Sequence, residues 1–406
     1  MKLNLMKKAS SILITIVLVA TMTSASTIQS PFHSQEKKAS SIPWPQAVES
    51  NAFILTTDYL DSSISIIDLE DVNTVQTDIH STHGDDQVRY YNGHVYVLNR
   101  WGYDLIEVFD VNNNFEKTME FSTGAGSNPQ DIVFISDEKA YVSCYDSTDL
   151  LIVNPQNGNH IGAIDLSEYA DDDGYPEMHK MIEFKFFGKS RVYLTVQRLD
   201  RHNMYEPTDL SYVIEFDSDA DTILNVIPLT GVNPTTEPIL DGLHIIIGES
   251  GSWFDDTDGG IDRVHLFSNE AEGFLLTEAD LEGNILDFDI YPTYTGLRGL
   301  FWSYLEQILG LPLKQRFINI ITSDLSYNTH LHSYNIKQDT LTLLLSSEGY
   351  QFTDIATTDA GLCLLSDRTP TAPGIRLFDV TEEIQLTCSP LDVGAVSYTH
   401  LRAHET

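Results

Sequence analysis

A strand that ends in Asp or Asn, repeated along the chain, constrains this sequence more than any other feature. It occurs as ISIID at Asp68, IEVFD at Asp110, LLIVN at Asn154, VIEFD at Asp217, VHLFSN at Asn269, LHSYN at Asn335 and IRLFD at Asp379, at intervals of 42, 44, 63, 52, 66 and 44 residues. A side-chain oxygen there bonds backbone two residues on and opens a tight turn between antiparallel strands. A second β-branched or aromatic run precedes each mark: FILTTDY from Phe53, HVYVLNR from His94, AYVSCYD from Ala140, RVYLTVQR from Arg191, LHIIIGE from Leu243, RFINIIT from Arg316 and GLCLLSD from Gly361. Most units add a strand before the pair, such as QDIVFI from Gln130, and one after it, such as HIGAIDL from His160. Four strands repeated at this period predict an all-β chain folded as a seven-bladed β-propeller with four-stranded antiparallel blades.

The two ends fall outside the repeat. Lys2, Lys7 and Lys8, the apolar run Ile12 to Ala20 and the small residues Thr23, Ser24 and Ala25 make residues 1–25 a secretory signal peptide. Residues 26–48 read as a polar leader, and the propeller is expected over 49–395. There is no cysteine near the cleavage site for a lipid anchor, and no other stretch has the length of a transmembrane helix, so a periplasmic or secreted monomer is expected. The last residues, VSYTHLRAHET from Val396 to Thr406, resemble the in-frame translation of a transposase sequencing adapter; the alternative is a genuine polar tail. The first unit has no inner strand of its own, because SIPWPQAVES carries Pro43 and Pro45. On the adapter reading, the native C-terminus supplies that strand and closes the ring, and this sequence lacks it.

Charge removes one class of partner. With 60 Asp and Glu against 23 Lys and Arg, the formal charge is −37, the wrong sign for a phosphate polymer that needs a basic patch. Hydrophobic residues at 42% still suffice for a packed core.

Units such as HVYVLNRWGYDLIEVFD and KAYVSCYDSTDLLIVNPQNG resemble the YncE-like, YVTN-repeat β-propellers of exported bacterial proteins, over roughly residues 50 to 395. The resemblance implies a propeller at the cell envelope. It implies no reaction, since propellers host enzymes and binding surfaces alike.

If the strands of a blade run a to d outward, b–c loops and d–a links share one face, and the Asp/Asn turns lie on the other. The chemistry-bearing loops sort onto the first. Arg100, Arg198, Arg201 and Arg368, four of 11 arginines, follow b strands. They form either an anion pocket, since guanidinium grips carboxylates and phosphates, or cement between neighbouring blades. Trp101, Tyr103, Tyr205 and Trp253 are candidates to stack on a ligand, and His202 joins them. Acidic loops suggest Ca2+: Asp171, Asp173 and Glu177 in one, and Asp256, Asp258 and Asp262 with Gly259 and Gly260 in the other. Neither fits the EF-hand pattern, because Phe254 takes the first ligand place and His265 that of the bidentate Glu. His330 and His332 share a strand face without a third ligand. Cys144, Cys363 and Cys388 form no CxxC; the first two are expected as buried thiols, and Cys363 with Cys388 is the only pair inside one blade. GLRGLFWSYLEQILGL from Gly296 has helical spacing and reads as an inserted capping helix.

No nucleophile elbow, HExxH, dinucleotide-binding or haem-attachment motif occurs, and no catalytic residue is assigned. The function expected is a non-enzymatic scaffold of the envelope that binds a small anion, a peptide or a protein on its loop-rich face. The alternative is a propeller enzyme, a quinoprotein-like dehydrogenase or a metal-assisted lactonase or lyase, with His202, Asp200 and Glu206 as its acid–base cluster.

Overall fold

The computed structural model describes residues 51–57, 62–186, 188–292, 316–382, 384–394 and 398–404, with isolated positions at 299, 301 and 305. All lie in the compact unit Trp44–Thr406. The signal peptide, the leader and, but for those isolated positions, the helix expected from Gly296 lie outside the described residues.

Seven four-stranded antiparallel sheets follow one another in a ring, a seven-bladed β-propeller. Blade 2 shows the plan: Asp86–Tyr91, His94–Asn99, Leu105–Asp110 and Glu116–Ser122 run from channel to rim, joined by short hairpins. The inner strands of blades 3 to 7 are Pro129–Ser136, Met178–Phe186, Ile239–Asp241, Asn284–Tyr291 and Phe352–Thr357.

The turn chemistry matches the marks in six blades. Oδ1 of Asp68 accepts from the Glu70 amide at 2.8 Å, Asp110 from Asn112 at 2.9 Å, Asn154 from Gln156 at 2.9 Å and Asp217 from Asp219 at 3.0 Å. Asn335 and Asp379 do the same with Lys337 and Thr381. Blade 5 differs. Its third strand ends at His265, whose Nδ1 accepts from the Ser268 amide at 3.1 Å. Asn269 sits four residues later with φ 57°, so the mark there belongs to the far end of the turn.

Ring closure overturns one expectation. Tyr398–His404 pairs antiparallel with the whole of Asn51–Thr57, from Tyr398 opposite Thr57 to His404 opposite Asn51, and is the inner strand of blade 1. The propeller therefore extends past residue 395, and the strand expected to be missing is supplied by the stretch read as an adapter. The physical reason is that a strand edge is a row of unpaired N–H and C=O groups. An extended segment of matching length satisfies them through backbone alone, whatever its side chains.

The core lies in the seams. Six clusters of buried side chains together cover all seven blade-to-blade junctions, such as Phe53, Leu55, Ile64 and Ile66 of blade 1 against Val88, Val95, Val97 and Phe109 of blade 2. All three thiols are free, with Cys144 and Cys363 buried in seams as expected and Cys388 exposed.

Removing residues 395–406 should lower the melting temperature by roughly 5 °C or more and produce concentration-dependent association through the bared edge of Asn51–Thr57. Calorimetry and sedimentation check this; an unchanged, monomeric protein would show that the last strand does not close the ring.

Candidate functional site

The b–c loops and d–a links carry an apolar surface. Trp101 is 77% exposed, Met204 75%, Tyr327 68% and Phe254 65%, with Tyr103, Tyr205, Trp253 and Leu325 also exposed on these loops. The His83 ring stacks on Tyr103 at 3.6 Å between centroids. On the opposite face Phe267 and Phe301 are the exposed large apolar residues among those described. The four aromatic residues named from sequence thus lie where expected. Met204, Leu325 and Tyr327 went unnamed and Phe254 was read only as a departure from a calcium loop, although each follows a b strand in the same way.

The arginines do not form a common pocket. Arg100 of blade 2 donates from Nε to Asp85 at 3.0 Å and from Nη1 to Gln130 of blade 3 at 2.9 Å. Arg201 of blade 4 donates to Glu177 at 2.8 Å, to Asp146 of blade 3 at 2.5 Å and to the Tyr145 carbonyl at 3.0 Å, its guanidinium lying 4.1 Å from the Tyr175 ring centre. Both therefore act as cement across seams, one of the two alternatives the spacing left open. Arg198 donates to the Leu210 carbonyl at 3.0 Å and lies over Tyr212; Arg368 lies over Tyr350.

One acidic loop converges and the other does not. Asp171, Asp173 and Glu177 present oxygens within 4.8 Å of one another. Arg201 already answers that charge: Glu177 is fully buried against it, and Asp173 Oδ2 accepts from the Arg201 amide at 3.0 Å. Burial pushes the Glu177 carboxyl up while the guanidinium pulls it down, and the same carboxylates hold Arg201 more firmly protonated; the close ion pair is the state that geometry supports. In the second loop the carboxylates separate. Asp258 is exposed and accepts from the Ser252 amide at 3.2 Å, and Asp256 is half-buried. Asp262 lies buried in its strand, accepting from the Thr230 amide at 2.9 Å, beside a Glu249 whose carboxyl is pushed well up by burial and by Asp262. Gly259 and Gly260 serve close packing: a Cβ would fall 2.2 Å from the Glu249 carbonyl oxygen at the first and 2.6 Å from that of Leu276 at the second.

His202 is 80% exposed, 3.6 Å from Asp200, on a short two-stranded ribbon where Asp200 pairs with Glu206. This trio stands on the surface rather than over a cavity. His332 bonds Thr322 at 3.2 Å and His330 bonds Ser346 at 2.9 Å, so that pair is occupied within its own sheet.

The channel holds a constellation that the motif search missed. A cavity of about 210 Å³ is lined by the inner strands of blades 2 and 4 to 7, including Gln87, His179, Lys180, Glu237, Asp287 and Asp354. Arg89 of blade 2 meets Asp131 of blade 3 at 2.7 Å and reaches Glu237, just before the inner strand of blade 5, at 2.6 Å. Carboxylates stitch inner strands together: Asp131 accepts from the Met181 amide at 2.8 Å, and Asp287 from Ile355 at 3.0 Å. Burial, then the charge of Asp354 and a hydrogen bond with it, push Asp287 well above the usual carboxylate range. Asp289 is pushed up to about 7 by burial. Burial and the nearby cations hold His179 neutral, its Nδ1 buried without a hydrogen-bond partner. A signal existed in the sequence: Arg89, Asp131, Lys180, Asp287 and Asp354 each place a charge within an inner strand.

No family model and no curated protein matches the chain. Solved structures do. A protein from Bacteroides fragilis NCTC 9343, described as a candidate 6-phosphogluconolactonase, is 12% identical with a TM-score of 0.52, covering 88% of this chain and 99% of its own. Dihydro-heme d1 dehydrogenase NirN is 12% identical with a TM-score of 0.51, over 93% and 83%. The Dos1 propeller is 10% identical with a TM-score of 0.51, over 86% and 88%. At such identities the likeness shows the fold and nothing of the chemistry.

Two stability tests follow from the buried charges. Arg201→Met leaves Glu177, Asp173 and Asp146 without their cation and should cost about 3–5 kcal/mol by urea unfolding; a loss below about 1 kcal/mol would mean that the junction is not held by this ion pair. Asp86 and Glu278 are pushed up to about 8 and Asp289 to about 7, in each case chiefly by burial. A folded pKa above the unfolded one gives stability that is present in acid and lost as pH rises through the folded value. His179 and His332, both lowered, act in the opposite sense, but only below about 6.5. From pH 6.5 to 8.5 these carboxyls dominate, the buried Cys144 and Cys363 thiols, raised by burial, act in the same sense toward the top of the range, and unfolding free energy should fall by about 4 kcal/mol; a flat or rising profile would contradict it.

Proposed function

We propose that this protein is an exported, non-catalytic binding propeller of the YncE-like kind, acting in the periplasm or outside the cell, whose loop-rich face takes a cationic peptide or protein segment bearing aromatic side chains. The observation that carries the reading is the concentration of Trp101, Met204, Phe254 and Tyr327, each 65–77% exposed, on one face. Exposed large apolar side chains gathered on one face in this way mark interaction surfaces. The loops around it are acidic, with Asp171, Asp172, Asp200, Glu206, Asp209, Asp255 and Asp258, which favours a basic partner and disfavours an anionic one. Arg100 and Arg201, the residues best placed to hold an anion, are spent on neighbouring blades. Calcium is left out of the reading because Arg201 already supplies the positive charge that the acidic triad needs. Among the described residues, the nominated acid–base cluster offers no enclosed site for chemistry.

Panning a random dodecamer phage library on the purified protein should enrich Lys- or Arg-rich peptides that contain aromatic residues, with micromolar binding that weakens as salt rises. The double variant Trp101→Ser, Phe254→Ser should lose at least tenfold in affinity at an unchanged melting temperature. No enrichment, or binders indifferent to both substitutions, would sink the proposal.

A further inference from the structure

The seam between blades 1 and 2 changes character along its length. Side chains alternate along a strand, so those that continue the face of Val88, Val97 and Phe109 toward the loop-rich end of blade 2 are Asp86, Asn99 and Glu107. Across the seam, Thr57 and Ser62 of blade 1 continue the face of Leu55 and Ile64, and Thr82 stands opposite Ser62. An apolar seam thus ends in polar groups from both blades.

Most of these groups are answered. Thr57 Oγ1 donates to the Gly84 carbonyl at 2.7 Å, and Ser62 Oγ to that of Thr56 at 2.9 Å. Asn99 donates to Glu107 at 3.2 Å and accepts from the His83 amide at 3.3 Å. Glu107 pairs with Lys117 at 2.6 Å, and Asp85 pairs with Arg100. Asp86 is the exception. It is 2% exposed, and neither carboxylate oxygen has a hydrogen-bond partner. The buried hydroxyl of Thr82, which lies beside it, has none of ordinary geometry either.

A carboxylate at this depth is costly unless both its charge and its lone pairs are met. Protonation cancels the charge but adds an O–H to the groups that need a partner. The nearby cations Arg100 and Lys117 are held by Asp85 and Glu107. What would meet the charge and the oxygens together is a metal ion, and an all-oxygen donor set selects a hard one. One unmet carboxylate is balanced by a single charge, whereas a divalent ion would bury a charge in excess.

We propose that the loop-rich end of the seam between blades 1 and 2 binds a monovalent metal cation, sodium or potassium, through both oxygens of Asp86 and the hydroxyl of Thr82. The ion ties the last strand of blade 1 to the first strand of blade 2 across the link of His83, Gly84 and Asp85. The charged and titratable groups around it are Asp85 and His83 on that link, Arg100, Glu107 and Lys117 of blade 2, and His80 of blade 1, whose ring lies against Phe109. The site is argued from the seam alone and is independent of the partner proposed for the outer face.

The test is thermal unfolding of the whole protein, treated with EDTA, at about pH 8.5 in about 0.15 M NaCl, KCl or choline chloride, so that screening is equal. Sodium or potassium should raise the melting temperature about 2–4 °C above choline, and the larger gain identifies the ion. The gain should shrink at about pH 6, where protons compete for the carboxylate. It should vanish in Asp86→Asn, fall by at least half in Thr82→Val and persist in Glu70→Gln, a change on an exposed turn of blade 1. Equal melting temperatures in the three salts overturn the proposal, as does a gain that survives both Asp86→Asn and Thr82→Val. A larger gain with millimolar Ca2+ that is lost in Asp86→Asn overturns the monovalent assignment. Thr82→Val and the wild-type pH comparison decide the matter where Asp86→Asn does not fold.

Discussion

Everything in this structure hangs on the burial of one blade against the next. A four-stranded sheet with apolar residues on both faces cannot stand alone in water; it needs a neighbour on each side. Seven seams supply fourteen covered faces only if the ring is closed, and Tyr398–His404 beside Asn51–Thr57 is the pairing that closes it. That contact joins the two ends of the repeat, so a purely backbone interaction at one position governs whether the side-chain cores at blades 7 and 1 are sealed. The rigidity that results is also what lets inner strands carry charge: their side chains are held in place by neighbours rather than by their own sheet.

Charge on those strands is expensive to bury and is tolerated only where each group is answered. The chain has few cations to do this with, and two arginines sit where carboxylates from different elements converge. Arg89 joins Asp131 to Glu237 and Arg201 joins Glu177 to Asp146, while Arg191 meets Glu215 and Asp217 of a single strand. Where no cation reaches, a proton serves instead, as between Asp287 and Asp354 or Glu249 and Asp262. The acidity of the protein thus extends inward, and its buried carboxyls tie folding to pH in a way that surface acids do not.

Periodicity made the blades legible, because each strand's alternation and each turn's Asp or Asn are local properties. The buried thiols Cys144 and Cys363 could be read for the same reason. Two things were not local. The His265 turn was misplaced because Asn269 satisfies the same pattern four residues on, and only pairing with His244–Glu249 shows where the strand stops. The channel constellation was overlooked because Arg89, Asp131, Lys180, Glu237 and Asp354 are isolated in sequence and meet only through the ring's curvature. The arginines show the same limit: their position after b strands was readable, but whether each turned to solvent or to the adjoining blade depended on what that blade offered.

The outer face and the channel differ in how their charges are met. On the face, aromatic and methionine side chains stand in water with acidic loops around them, so the binding proposed there would draw on apolar area and on long-range charge and would weaken with salt. In the channel the charges are desolvated and held by ion pairs and hydrogen bonds between blades. A net charge of −37 bears on the two unequally. At the surface it sets a long-range field that favours basic molecules over acidic ones, whereas in the channel the ion pairs of Arg89 with Asp131 and Glu237 and of Arg100 with Asp85 act at far shorter range.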